Sequence, residues 1–190
     1  MRIVFTGAQG TGKTTILNHY KDQGFNVITE VVRNLAKKGV KINKDGDEKG
    51  QTKIFNEYKK LFAESSEFIS DRCLIDVVAY TVYLHKQGKI TEKFVNKQLK
   101  DLHKFILANP DILYCYFPIE FDPADDGVRD IDTEFQKDID ATILSILGAM
   151  GLNIVIVNGS VEDRIAKVDS LMKWSEMANS LFARVTQAHE

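Results

Sequence analysis

The stretch Arg2-Ile-Val-Phe-Thr-Gly7-Ala-Gln-Gly-Thr-Gly12-Lys13-Thr14 decides how this chain is read. A short run of β-branched and aromatic residues stops at Gly7, and Gly7 to Thr14 then match G-x-x-x-x-G-K-[ST] in full. Beyond it, Ile16, Leu17 and Tyr20 recur at helical spacing over residues 13–22. Strand, glycine loop and helix in that order form a phosphate-binding loop. The glycines let the backbone wrap closely around phosphates, and the helix N-terminus adds its partial positive charge. Lys13 is expected to reach β- and γ-phosphates, and the Thr14 hydroxyl to join the coordination of a magnesium ion. With Thr15 near the α-phosphate, the expected nucleotide cradle is Gly7, Ala8, Gln9, Gly10, Thr11, Gly12, Lys13, Thr14 and Thr15.

Working outward, four more short apolar runs read as strands: Asn26 to Thr29, Glu67 to Ser70, Ile112 to Phe117 and Asn153 to Val157. Such nearly continuous runs suit strands covered on both faces, hence a parallel sheet. Between them, helical patterns cover 51–64, 76–87, 91–108, 133–150 and 160–188. The alternation predicts an α/β three-layer sandwich. With 190 residues, 3 prolines and 12 glycines, a single domain spanning 1–190 is expected.

Composition narrows the classes further. Lys and Arg number 25 against 27 Asp and Glu, for a net charge of −2, which excludes a broadly basic nucleic-acid binder. Residues 120–140 carry nine acids and two bases, so the rest of the chain is basic, at +5. Cys73 and Cys115 lack metal-ligand spacing and sit in apolar stretches, as free buried thiols of a reducing compartment do. The run Ile3-Val4-Phe5, broken by Thr6-Gly7, is too short for a secretory leader, and no stretch reaches a membrane span. A cytoplasmic location with no membrane or nucleic-acid partner is the expectation. His19, His85, His103 and His189 have no spacing suited to a metal or a triad.

In an open parallel sheet, ligands bind beyond the carboxyl ends of the strands. The first charge after the second strand is Glu30, with Arg33 three residues on at the start of a helix. A carboxylate there suits the general base that phosphoryl transfer to an alcohol requires; it equally suits a helix-starting acid. Ser70-Asp71-Arg72-Cys73 follows the third strand. Asp71 is placed to hold a magnesium-bound water and Arg72 to grip a phosphate. The expected metal ligands are thus Thr14 and Asp71.

Gly7 to Thr14, Thr29-Glu30-Val-Val-Arg33, Asp71-Arg72-Cys73 and Asp126-Gly127-Val-Arg129 together resemble the P-loop nucleoside and nucleotide kinases. They are most similar to the group that includes the nicotinamide-riboside kinase domain of bacterial NAD-regulatory proteins. The resemblance covers about residues 1–165. It implies a five-stranded parallel sheet in order 2-3-1-4-5, Glu30 near the acceptor, Asp71 and Arg72 serving metal and phosphate, and Arg129 on a closing lid. It also implies ATP and Mg²⁺ as cofactors and a small nucleoside or nucleotide as substrate. One departure stands out: related deoxynucleoside kinases carry serine after the Asp-Arg pair, and thymidylate kinases an aromatic residue, where this chain has Cys73.

The lid is expected at about 119–135, and the acceptor side at about 31–66. An acidic lid with one arginine suits an acceptor that carries no phosphate. Phe55, Tyr58, Phe62, Tyr80 and Tyr83 are available to stack on a flat base; one or two are expected to do so, with Phe55, Tyr58 and Tyr80 as the candidates beside Glu30, Arg33 and Arg72. The lysine-rich 37–53 segment reads first as a solvated loop, otherwise as a flap over the acceptor. Gly159 and Ser160, after the last strand, are expected beside the donor base, with Ser160 as a helix N-cap. The terminal helix, about 169–188, carries Met172, Trp174 and Met177; it packs on the body or meets a second copy. Three functions fit the residues: an ATP-dependent phosphotransferase for a nucleoside, a nucleoside-monophosphate kinase, and an NTPase or nucleotide-binding regulator without a small acceptor.

Overall fold

The computed structural model describes residues 1–120 and 133–187. Among them, five strands alternate with seven α-helices: β1 Arg2–Thr6, α1 Lys13–Asp22, β2 Val27–Ile28, α2 Val31–Lys37, α3 Glu48–Glu64, β3 Phe68–Ser70, α4 Leu74–Lys86, α5 Glu92–Ala108, β4 Ile112–Tyr116, α6 Thr133–Ala149, β5 Ile154–Ile156 and α7 Val161–Gln187. All strand pairs are parallel, in the order β2-β3-β1-β4-β5 that the resemblance implies.

Alternation along β1 shows why both faces are covered. Ile3 and Phe5 point into one apolar layer with Ile16, Leu17 and Tyr20 of α1 and Val168 and Met172 of α7. Val4 points to the opposite layer, with residues of α3, α4, α5 and α6. Phe5 is fully buried and lies against Phe117, with ring centres 4.8 Å apart. Truncating such a side chain to alanine costs about 3–5 kcal/mol. Both cysteines are buried free thiols.

Helix α3 begins earlier than its apolar pattern suggests, because Asp47 caps it: its carboxylate accepts the Gly50 N–H at 2.8 Å. The last six residues of the 37–53 segment are therefore helix, and the preceding part contains a short 3-10 turn at Asn43–Asp45. Met172 is buried under α7, whereas Trp174 and Met177 are exposed. None of the described helices is long and apolar enough to cross a membrane.

Candidate active site

The carboxyl ends of β1, β2 and β3 open onto one cleft of about 710 Å³. Its lining includes Gln9 to Thr15, Glu30, Arg33, Asp71, Arg72, Asp76, Tyr58 and Tyr80. That volume is in the range of small-molecule sites.

The phosphate half is shaped by backbone. Gly7 has φ +140°, and a Cβ there would meet the Phe117 carbonyl oxygen at 2.4 Å, so only glycine fits. The Lys13 ammonium is buried and donates to the carbonyls of Gly7 (2.8 Å) and Ala8 (2.5 Å) and to Thr11 Oγ1 (2.8 Å). Burial first, and repulsion from Arg72 second, bring its pKa down from 10.5 to about 7. An arriving phosphate supplies the anionic partner that reverses both effects.

Asp71 sits where the β2–β3 ladder ends, its N–H bonded to Ile28 O at 3.1 Å. Its Oδ2 accepts the Thr14 hydroxyl at 3.2 Å and the Thr29 hydroxyl at 3.4 Å. A hydroxyl and a carboxylate held this close are hard oxygen donors, the type magnesium takes when phosphates and waters complete its shell. Among the described residues no three His, Cys, Asp or Glu cluster as a self-sufficient metal cage.

Arg72 lies 3.7 Å from Asp76 Oδ1 and over the Tyr80 ring at 5.7 Å. Its Nη1 is buried without a hydrogen-bond acceptor among the described residues. Burial alone would lower its pKa; Tyr80, Asp76, Tyr58 and Asp71 outweigh that and raise it, so the charge is permanent. A buried guanidinium N–H with no acceptor, facing a cleft, suits an anionic ligand.

Asp76, which no sequence motif singled out, also lines the cleft. Its carboxylate accepts the Cys73 N–H (2.9 Å), the Cys73 thiol (3.3 Å) and the Gly7 N–H (3.4 Å), which ties the start of α4 to the phosphate loop. Cys73 is the N-cap of α4 in a reciprocal capping box with Asp76. It is buried and is not part of the cleft wall. The spacing Cys73-x-x-Asp76 was the available signal.

Glu30 lines the same cleft. It adopts φ +60°, unusual for a residue with a side chain, and occupies the N-cap position of α2 without a side-chain capping bond. Arg33 Nη1 donates to both its carboxylate oxygens, at 2.9 and 3.1 Å, so the two side chains expected on one face are paired.

The acceptor half is walled by Ile42, Asn43, Gln51, Ile54, Tyr58, Val77, Tyr80 and Phe135. Two of the expected aromatics, Tyr58 and Tyr80, are in the wall; Phe55 is not, and lies in the core beside Phe62. Phe55, four residues after Gln51 and three before Tyr58, belongs to the same buried stripe of α3 but lies at its far edge from Ile54, on the side turned into the core. The 37–53 segment is likewise not a plain solvated loop, since Ile42 and Asn43 line the cleft and the Lys44 ammonium lies 5.2 Å over the Phe135 ring. Phe135 and the buried Gln51, whose Oε1 is 3.2 Å from the Thr81 hydroxyl, had no sequence signal.

Gly159 and Ser160 flank the outer side of the phosphate loop and are not part of the cleft wall. Ser160 does cap α7, with reciprocal bonds to Asp163 of 3.0 and 3.2 Å. Arg129 and the 121–132 part of the expected lid lie outside the described residues.

A parallel sheet in this order, a glycine loop feeding α1, and charged strand ends around one cleft define a P-loop protein with the fold of the nucleoside and nucleotide kinases. A family model described as an AAA domain matches residues 2–164, and the chain belongs to that family. No curated protein sequence matches. Among solved structures, the NadR protein in complex with NR superposes with a TM-score of 0.69 at 16% identity, covering 92% of this chain and 51% of that one. The chain thus spans about half the length of that protein. Deoxyadenosine kinase from M. mycoides, with products dCMP and dCDP bound, gives 0.63 at 14% identity, over 91% of this chain and 98% of that one. Thymidylate kinase from Ehrlichia chaffeensis gives 0.54 at 18% identity, over 90% and 98%. At these identities the likeness is one of fold.

Proposed function

We propose that this chain is an ATP-dependent phosphotransferase acting on a small nucleoside-type acceptor. The observation that carries the reading is the continuity of the cleft: one cavity is lined by Lys13 and Thr14, by the aromatic side chains of Tyr58, Tyr80 and Phe135, and by Glu30. A protein that only hydrolyses or senses nucleotide has no use for the second half. The solved relatives of this fold, which include a deoxyadenosine kinase and a thymidylate kinase, support it.

In this reading the triphosphate lies along Gly7–Thr15, and Lys13 and Arg72 hold the charge that develops on the moving phosphoryl group. Thr14 and Asp71 would hold Mg²⁺, which when bound neutralises phosphate charge. Glu30 exchanges Arg33 for the acceptor hydroxyl and takes its proton. The acceptor oxygen then bonds to the γ-phosphorus while the bond to the β-phosphate oxygen breaks, leaving ADP. Tyr58, Tyr80 and Phe135 pack against the acceptor base. Two buried free thiols suit a reducing compartment, and the reading includes a cytoplasmic location.

A monophosphate acceptor is the second reading, and Arg33 favours it: its guanidinium is 63% exposed and lines the cleft beside Glu30. The test is a transfer screen over nucleosides and nucleoside monophosphates at saturating ATP and magnesium. Phosphorylated nucleosides support the proposal, products from monophosphates alone select the second reading, and ATP hydrolysis without any acceptor product overturns both.

A further inference from the structure

From within the phosphate loop, Lys13 and Thr11 hold the carbonyls of Gly7 and Ala8; two side chains from much later in the chain hold those of Gln9 and Thr11. Gln136 of α6 is buried, and its Nε2 donates to the Gln9 carbonyl at 2.6 Å. Arg164 of α7 is 3% exposed, and its Nη1 donates to the Thr11 carbonyl at 2.6 Å. Each sits beside the next glycine. A Cβ on Gly10 would come within 3.4 Å of Gln136 Nε2, and one on Gly12 within 2.7 Å of Arg164 Nη1.

The consequence follows from peptide geometry. In a trans peptide the C=O and the next N–H point in opposite directions, and no described peptide is cis. Fixing the Gln9 carbonyl outward therefore turns the Gly10 N–H the other way, and fixing the Thr11 carbonyl does the same for the Gly12 N–H. Gly10 and Gly12 are free to occupy φ of +77° and +83°, so without an external hold these peptides would have several orientations to choose from. Arg164 is itself immobilised: its Nε donates to Gly159 O (3.0 Å), its Nη2 to Glu120 Oε2 (2.5 Å), and its guanidinium lies 5.9 Å from the Phe117 ring centre. Glu120 in turn accepts the Gly159 N–H at 2.9 Å.

The geometry points to Arg164 and Gln136 as positioning residues that clamp alternate peptides of the phosphate loop, so that its N–H groups are aimed before a polyphosphate arrives. This deepens the phosphate-loop reading and rests on it. Neither residue touches the reacting atoms; both act through the backbone of residues 9–12. Pre-aimed donors spare the ligand the ordering of the loop, so the effect belongs to polyphosphate affinity and is independent of any base.

Titration calorimetry with magnesium tripolyphosphate, which has no base, tests the clamp in the full chain. Arg164→Lys keeps the charge but cannot reach all three acceptors, and is expected to weaken binding about tenfold; Gln136→Leu, which removes a neutral donor, about fivefold. The double variant should lose more than either single one, and because both peptides belong to one loop and serve one ligand the combined loss measures their coupling. Circular dichroism and thermal melting confirm folded protein, and a purely structural role would lower the melting point without changing affinity below it. Folded single variants that bind within twofold of the unaltered chain overturn the clamp. If Arg164→Lys fails to fold, Glu120→Gln loosens the guanidinium more gently and should cost about threefold, with unchanged affinity counting against the proposal. If the unaltered chain binds no tripolyphosphate, the phosphate-loop reading itself has failed.

Discussion

The phosphate half of the cleft is built on one run, Gln9 to Thr15, joined only by Asp71 and Arg72 from the end of β3, whereas the other half collects Ile42 and Asn43 from a turn, Gln51, Ile54 and Tyr58 from α3, Val77 and Tyr80 from α4 and Phe135 from α6. The first recognises through backbone N–H groups and one buried lysine; the second through side chains that meet only after folding. A backbone site is constrained at every position. A side-chain site needs only its few contacts, so it can change its acceptor while the phosphate end stays as it is.

The largest effect that would break this contrast is at Lys13. Lys13→Ala should lower phosphoryl transfer about a thousandfold, and leave acceptor affinity within a few-fold in a direct binding measurement. Gly12→Ala comes next. It forces a side chain into φ +83° and against Arg164, so melting should show a loss of about 1–3 kcal/mol together with weaker nucleotide binding. On the other side, Tyr80→Ala should raise the acceptor KM about tenfold, more than it raises the ATP KM, whereas Phe55→Leu, in the core, should cost about 1 kcal/mol of stability and change neither KM.

A smaller effect concerns protons. Lys13 titrates near 7 in the folded chain, against 10.5 for an ordinary lysine. Between these values the unfolded chain binds more protons than the folded one, so this group makes stability rise with pH through that window. Above pH 7 a polyphosphate restores the charge, and its binding takes up a proton. Calorimetry at pH 8 in buffers of different ionisation enthalpy should detect that uptake in the unaltered chain and not in Lys13→Ala.

How much of this was legible in the chain itself follows the same division. The five strands lie where their β-branched and aromatic runs fall, trimmed by one or two residues, because a strand buried on both faces must be apolar throughout. Glu30, Asp71 and Arg72 were legible as charges that end such runs. Phe55 was misplaced because periodicity shows that α3 has an apolar face without showing which element covers it. Gln51 and Phe135 carried no signal, since a glutamine in a lysine-rich segment and a phenylalanine on a helix look like many others. Arg164 is the extreme case: it meets Thr11 across 153 positions of sequence.

Glu30 is the proposed base in this cleft, and single-turnover transfer from ATP to a nucleoside acceptor identified by the screen, compared between the unaltered chain and Glu30→Gln, tests the account most directly. The account predicts a loss of at least about a hundredfold in the transfer step, with ATP affinity unchanged. Transfer by Glu30→Gln within a few-fold of the unaltered chain would contradict it.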